Sequence, residues 1–194
     1  MQRLANGGPV LELGIGTGRI ALPLSARGVK VYGIEASHSM IIKLGEKPGS
    51  AQLKVLHGNF ADTRMEIRFS LVFALVSTFY LLRSHSEQQR SLHTLAGGLS
   101  EGGLLLLENY KPARLEPVAP SDVNDGEVYF SEHLLSTAEG PRYYRARICY
   151  APPQELDKMA AKAGLRLRER WSNWQGQIFK TGDPRHISIY ESVK

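Results

Sequence analysis

Val10-Leu11-Glu12-Leu13-Gly14-Ile15-Gly16-Thr17-Gly18-Arg19 joins an apolar strand to a glycine-rich turn, and a helical pattern opens at Gly18. Glu35 follows about twenty residues on, at the end of a second apolar run from Val29. Strand, glycine turn, helix, strand and acidic residue in that order make a nucleotide-cofactor site on a parallel sheet. A dinucleotide fingerprint, G-x-G-x-x-G, requires glycine where Arg19 stands. The pattern here is E-x-G-x-G-x-G, with Glu12 two positions ahead of Gly14.

Working outward, strands are expected at Val10 to Leu13, Val29 to Glu35, Gln52 to His57, Leu71 to Val76 and Leu104 to Asn109. Helices are expected at Gly18 to Ala26, Ser39 to Leu44 and Ser86 to Ala96. The first would be capped by Thr17 and bent at Pro23, and the third closed by Gly97-Gly98. Strands that are apolar throughout and alternate with helices imply a parallel sheet covered on both faces. The alternation breaks after strand five. Lys111 to Pro120 carries three prolines and reads as loop, and Glu127 to Phe130 and Arg142 to Tyr150 read as an inserted hairpin. A helix over Gln154 to Ala163, entered through Pro152-Pro153 and ended by Gly164, precedes two last strands, Arg166 to Trp171 and His186 to Ser192. The expected fold is α/β: a Rossmann-like, seven-stranded, mostly parallel sheet. Its last strand is antiparallel, helices cover both faces, and a small β-hairpin region is inserted at 111–150.

The 194 residues suit one domain, 1–194. No run of about eighteen apolar residues predicts a membrane helix, and the amino terminus has no signal-peptide core. The single cysteine, Cys149, cannot close an internal disulfide, so a cytoplasmic setting is expected. Six histidines without ligand spacing predict no metal site. A net charge of +5 permits an anionic partner without requiring one.

The glycine turn Leu11 to Arg19 resembles motif I of the class I S-adenosylmethionine (SAM) methyltransferases. Gly33-Ile34-Glu35-Ala36-Ser37-His38-Ser39-Met40 resembles that family's second motif. His57-Gly58-Asn59-Phe60-Ala61-Asp62 resembles its adenine-edge motif, with Asn59 where aspartate is usual. Leu99-Ser100-Glu101-Gly102-Gly103 and Ala160 to Leu165 resemble its later turns, so the likeness covers nearly the whole chain. It is strongest for bacterial enzymes acting on small molecules, amino sugars among them. The chain departs from the pattern at Ile15, where Cys or Ala is usual, and in having only about nine residues before strand one, where relatives carry helices. That short start leads us to expect an open site, or one completed by a longer native start or a partner chain.

The resemblance implies SAM as cofactor and Glu12, Gly14, Gly16, Gly18, Glu35, Ala36, Met40, Asn59, Phe60 and Ser77 as its contacts. Glycines let the backbone approach the ligand. Glu12 would hold the amino-acid tail or brace the turn, Glu35 would accept from the ribose hydroxyls, and Met40 would pack on adenine. Ser77 or Thr78, after strand four, would face the ligand crevice. The expected reaction is methyl transfer to an N or O atom of a small-molecule acceptor. No catalytic base stands out; His133 and His186 are the candidates, each with a structural role as the simpler reading. Tyr80, Tyr110, Phe130, Trp171 and Trp174 are candidates for an apolar acceptor pocket, with core packing as the alternative, and residues 111–150 for part of the acceptor site. Arg166, Arg168 and Arg170 alternate along one strand and are read as sharing a face. RNA methylation is an alternative suggested by the basic balance. Neither an Asp/Asn-Pro-Pro-aromatic motif nor a Pro-Cys nucleophile supports it, so nucleic acid is not the expected partner. A SAM-binding accessory subunit is a further alternative, and a homodimer a candidate assembly.

Overall fold

The computed structural model describes residues 1–112, 127–137 and 140–193; at 127–137 and 142–145 only the backbone is described. Among the described residues nine strands form: β1 (Val10–Leu13), β2 (Val31–Glu35), β3 (Lys54–His57), β4 (Phe69–Ala74), β5 (Leu99–Tyr110), β6 (Glu127–Thr137), β7 (Gly140–Tyr150), β8 (Leu165–Trp171) and β9 (Arg185–Ser192). The helices are α1 (Gln2–Ala5), α2 (Ala21–Ser25), α3 (His38–Gly45), α4 (His85–Gly98) and α5 (Pro153–Lys162). Seven strands form one sheet in the order β3-β2-β1-β4-β5-β9-β8. β1 lies inside it, parallel to both β2 (Val10↔Val31) and β4 (Val10↔Leu71). β9 runs antiparallel to both β5 and β8, so the last strand alone is reversed.

The apolar runs are explained by burial on both faces. Along β5 the faces separate with a period of two. Leu104 and Leu106 pack with Val10, Phe73, Ile187, Ala21 and Leu24 on the α2 side. Leu105 and Leu107 pack with Leu13, Ile34, Leu92 and Leu156 on the side of α4 and α5. Ser84 caps α4 by accepting from the Glu87 amide at 3.1 Å, while Glu87 Oε2 accepts from the Arg83 amide at 2.7 Å. Pro153 opens α5, and Gly164, at φ 76°, follows its end.

Chain order runs outward in opposite directions from β1 and from β4. The sheet therefore has its switch point between them, and a crevice opens beyond their carboxyl ends. The hairpin β6–β7 is a separate two-stranded ladder, paired from Glu127↔Tyr150 to Thr137↔Gly140, longer at both strands than composition suggested. Its base is fixed where the Gln88 side chain donates to the Cys149 carbonyl and the Tyr80 hydroxyl to the Ala151 carbonyl, both at 2.8 Å. Residues 113–126 of the expected insertion lie outside the described residues.

Four local expectations are corrected. α2 begins at Ala21 with Ile20 as cap residue and no side-chain cap, so Thr17 does not cap it. α4 continues through Gly97-Gly98. β4 ends at Ala74, because Val76 and Ser77 take the left-handed φ values 53° and 59°. A register shift between Leu167 and Glu169 places an extra residue, Arg168, in β8. One extra residue reverses the facing of all that follow, so Arg166 and Arg170 do not share a face.

Candidate functional site

Glu35 ends β2 beside the glycine turn that ends β1. Its Oε2 accepts from the Gly16 amide and its Oε1 from the Ser37 amide, both at 2.8 Å. Each oxygen keeps capacity for another donor, so the carboxylate is aimed before any ligand arrives. The turn is held from both sides: the Gly14 amide donates to the Ile34 carbonyl at 2.8 Å, and the Lys47 ammonium to the Thr17 carbonyl at 2.7 Å. Its three glycines all have positive φ but serve different ends. A Cβ on Gly14 would stand 2.6 Å from Thr78 Cγ2, and one on Gly18 2.5 Å from Leu44 Cδ1. Both residues make room for the protein itself. A Cβ on Gly16 would meet nothing nearer than 3.9 Å, so this glycine borders open space. Ile15, in place of the usual small residue, fits because Gly33 beneath it has no side chain.

Glu12 is 6% exposed, and its Oε2 has no hydrogen-bond partner among the described residues. Burial pushes its carboxyl up to about 8, while Arg19 and the Ala21 amide pull it down. A buried, unsatisfied acceptor below a glycine turn is costly unless a donor or cation reaches it. The ammonium of an amino-acid tail is such a group.

The remaining cofactor candidates sit around the same rim. Ala36 is exposed, and its carbonyl lies 3.0 Å from His57 Nε2. Met40, on the first turn of α3, is 43% exposed and free to cover a planar ligand. Asn59 Oδ1 is turned back to the Ala61 amide at 2.9 Å. The Phe60 ring is buried in the core, so only its backbone can meet a ligand. Ser77 ties the turn after β4 to β5: its amide donates to the Glu108 carbonyl, and its hydroxyl accepts from the Tyr110 amide, each at 2.9 Å.

A family model described as a methyltransferase domain matches residues 1–170. This chain belongs to the methyltransferase family. By family and fold it is a class I, SAM-dependent enzyme. It is 29% identical over 208 residues to a cypemycin N-terminal methyltransferase from a Streptomyces species, covering 97% of this chain and 85% of that one. The structure of the CcbJ methyltransferase from Streptomyces caelestis is 32% identical, with a TM-score of 0.85 over 100% of this chain and 86% of that one. At 18% identity, the fold is shared with the SAM-bound amino pentose methyltransferase CalS10 from Micromonospora echinaspora, with a TM-score of 0.72 over 99% and 88% of the two chains.

On the far side of the crevice, the methyltransferase places a buried carboxylate that sequence reasoning did not single out. Glu108 accepts from the Trp174 indole at 3.0 Å and from the Val76 amide at 3.1 Å. Its significance depends on partners distant in sequence, and in the strand it reads as one polar residue closing an apolar run. Tyr110 and Trp174 line a pocket together with Glu108. A larger groove of about 490 Å³ lies beside α4, lined by Leu11, Phe69, Arg90 and His93 among others. It reaches the amino-terminal start of β4, away from the crevice.

His186 is corrected as a candidate base. It is 4% exposed, its Nδ1 lies 2.8 Å from the Ser188 hydroxyl, and its Nε2 lies 3.4 Å from the Tyr80 hydroxyl. Burial, with help from Arg170 and against Asp157, pushes it down to about 4, so it is neutral at pH 7 and structural. His133 stands on β6, and its side chain lies outside the described residues, as does that of Phe130. Tyr80 is fully buried in the core, and Trp171 packs against the α2-side core. Arg170 turns inward to a two-nitrogen pair with Asp157, whereas Arg166 pairs with Glu191 at the surface. Among the described residues no group of three His, Cys, Asp or Glu side chains could hold a metal ion, and no helix is long and apolar enough to cross a membrane.

Proposed function

We propose that this methyltransferase moves the methyl group of SAM to a nitrogen or oxygen of a small-molecule acceptor in the crevice outside β1, β4 and β5. SAM supplies an activated methyl group on a sulfonium. The observation that supports the reading is the paired carboxylate arrangement around an open glycine. Glu35 is aimed by two backbone amides toward a ribose diol, Glu12 is buried and unsatisfied where a tail ammonium would sit, and Gly16 leaves the path between them clear. Gly14 and Gly18 shape the turn, Ala36, Met40, Asn59 and the Phe60 backbone border the adenine side, and Ser77 holds the opposite lip. With these groups fixed, the chain's contribution is proximity and alignment, worth up to roughly 7–11 kcal/mol in favourable systems.

The similarity to enzymes named for the N-terminus of cypemycin and for an amino pentose supports small acceptors. We read residues 1–194 as one domain, with 111–150 as an insertion bordering the acceptor side. Its place after the carboxyl end of β5 supports this. A cytoplasmic role in small-molecule metabolism completes the reading. The test is transfer of labelled methyl from SAM to small amines and alcohols, in parallel with bulk RNA. Labelling of small molecules is expected; labelling confined to RNA would overturn the proposal.

A further inference from the structure

Glu108, near the carboxyl end of β5, is 4% exposed. It lines a pocket of about 330 Å³ with Arg19, Val76, Tyr110, Trp174 and Arg185. We propose that this pocket is the acceptor site and that Glu108 receives the amine nitrogen of the acceptor, which makes the enzyme an N-methyltransferase of amines. The inference rests on the methyl-transfer reading above.

Position argues first. The pocket runs from Arg19, directly after the glycine turn, past Val76 in the turn that follows β4, to Glu108 on β5. An acceptor here lies between the cofactor turn and the far wall of the crevice. The carboxylate is also held in a fixed orientation. Oε1 accepts from the Trp174 indole at 3.0 Å and the Tyr110 hydroxyl at 3.4 Å, and Oε2 from the Val76 amide at 3.1 Å. Among the described residues Oε2 has that single donor, and a carboxylate oxygen takes two. The Val76 amide reaches it from a left-handed φ of 53°, an outlier for a β-branched residue. Such strain is kept where the surroundings impose it, and functional sites are where it concentrates.

Arg185 Nη1 forms an ion pair with Oε1 at 3.6 Å, longer than a hydrogen bond, and Arg19 also lines the pocket, while Oε2 makes no ion pair among the described residues. Arg185 Nε donates to the Ser172 carbonyl at 3.0 Å, its Nη1 to the Tyr110 hydroxyl at 3.3 Å, and it lies 5.7 Å over the Tyr110 ring. Tyr110 and Trp174, 39% and 40% exposed, flank the carboxylate with aromatic surface. A carboxylate beside aromatic faces is the chemistry that recognises an ammonium or a methylated amine. An alcohol gains nothing comparable.

The ammonium bound at Glu108 first loses one proton to solvent, and the neutral amine attacks through its lone pair. The N–C bond forms as the C–S bond breaks, sulfur keeps that electron pair, and the product leaves as a methylammonium. Glu108 holds an N–H of the acceptor throughout, so it touches the substrate.

The test uses the full chain saturated with S-adenosylhomocysteine (SAH), titrated with phenethylamine, 2-phenylethanol and phenylacetate as probes. The amine is expected to bind at least about tenfold tighter than either of the others. Glu108→Gln should weaken it by about tenfold to a hundredfold and leave SAH affinity within about twofold. Trp174→Phe, which removes one donor to Oε1, should weaken it less. The proposal is overturned if phenylacetate binds best, if no probe shows a preference for the amine form, or if Glu108→Gln lowers SAH affinity as much as amine affinity. The wild-type preference needs no variant, so the proposal stays falsifiable if Glu108→Gln fails to fold. Failure of the wild type to bind SAH would contradict the methyl-transfer reading, whereas SAH binding without amine preference contradicts this proposal alone.

Discussion

Glu35 is held by backbone amides of Gly16 and Ser37 at 2.8 Å each, so its removal costs a ligand two prepared acceptors. Hydrogen bonds to a charged group are worth roughly 1.5–3 kcal/mol. Glu35→Ala is therefore expected to weaken SAH binding by about one to two orders of magnitude, measured by calorimetry, with the protein still folded. Unchanged affinity would remove Glu35 from the site. Glu12 acts differently because burial holds its carboxyl up near 8. A tail ammonium placed beside it would favour the carboxylate, so binding should release a proton. SAH affinity is then expected to rise as pH climbs through neutrality toward 8, with a binding enthalpy that depends on the buffer, and Glu12→Gln should abolish both effects. A pH-independent wild type would show that the buried carboxyl is not at the ligand. Glu12, Glu35 and the three glycines were all readable in the sequence, because they lie within two short motifs. Glu108 was not: its partners stand at 76, 110 and 174, and only the folded sheet brings them together.

The glycine turn shows, at the scale of an element, that one motif carries two kinds of constraint. Gly14 and Gly18 are glycine because Thr78 and Leu44 occupy the space a side chain would need. Gly16 takes φ 55° with open space over it, so backbone conformation rather than a neighbouring side chain calls for glycine there. Gly14→Ala and Gly18→Ala should lower unfolding stability by about 1–3 kcal/mol through overpacking and positive φ. Gly16→Val should cost less in stability than it does in SAH binding. Chemical denaturation paired with titration separates the two classes, and equal binding loss with no stability loss at all three positions would refute the division. The apolar strands were readable from burial on both faces. β8 was not, because a single extra residue at Arg168 sends Arg170 inward to Asp157. Periodicity has no means of marking a bulge whose cause is the partner strand.

Across the whole molecule two buried titratable groups act on stability in opposite directions. His186 falls from 6.5 to about 4 on folding. The unfolded chain then binds the extra proton, so its contribution is present above pH 6.5 and is lost as pH falls through 4. Glu12 rises from 4.5 to about 8, so its contribution is present below pH 4.5 and is lost as pH rises through 8. Between 4.5 and 6.5 the two offset each other. Urea denaturation across pH is expected to show a shallow maximum there, with an alkaline decline above 6.5 that Glu12→Gln removes. A decline that survives in that variant would contradict the assignment.

The fold and its glycine turn make one further demand on the intact protein, namely which nucleotide cofactor it takes. Arg19 stands where a dinucleotide site needs glycine, while Glu35 and Glu12 flank an open Gly16. Calorimetric titration of the wild-type chain with SAH and with NAD decides between them. Saturable binding of SAH at one site per chain, with no heat from NAD, is the expected result. Binding of NAD with no response to SAH would contradict the reading of the site.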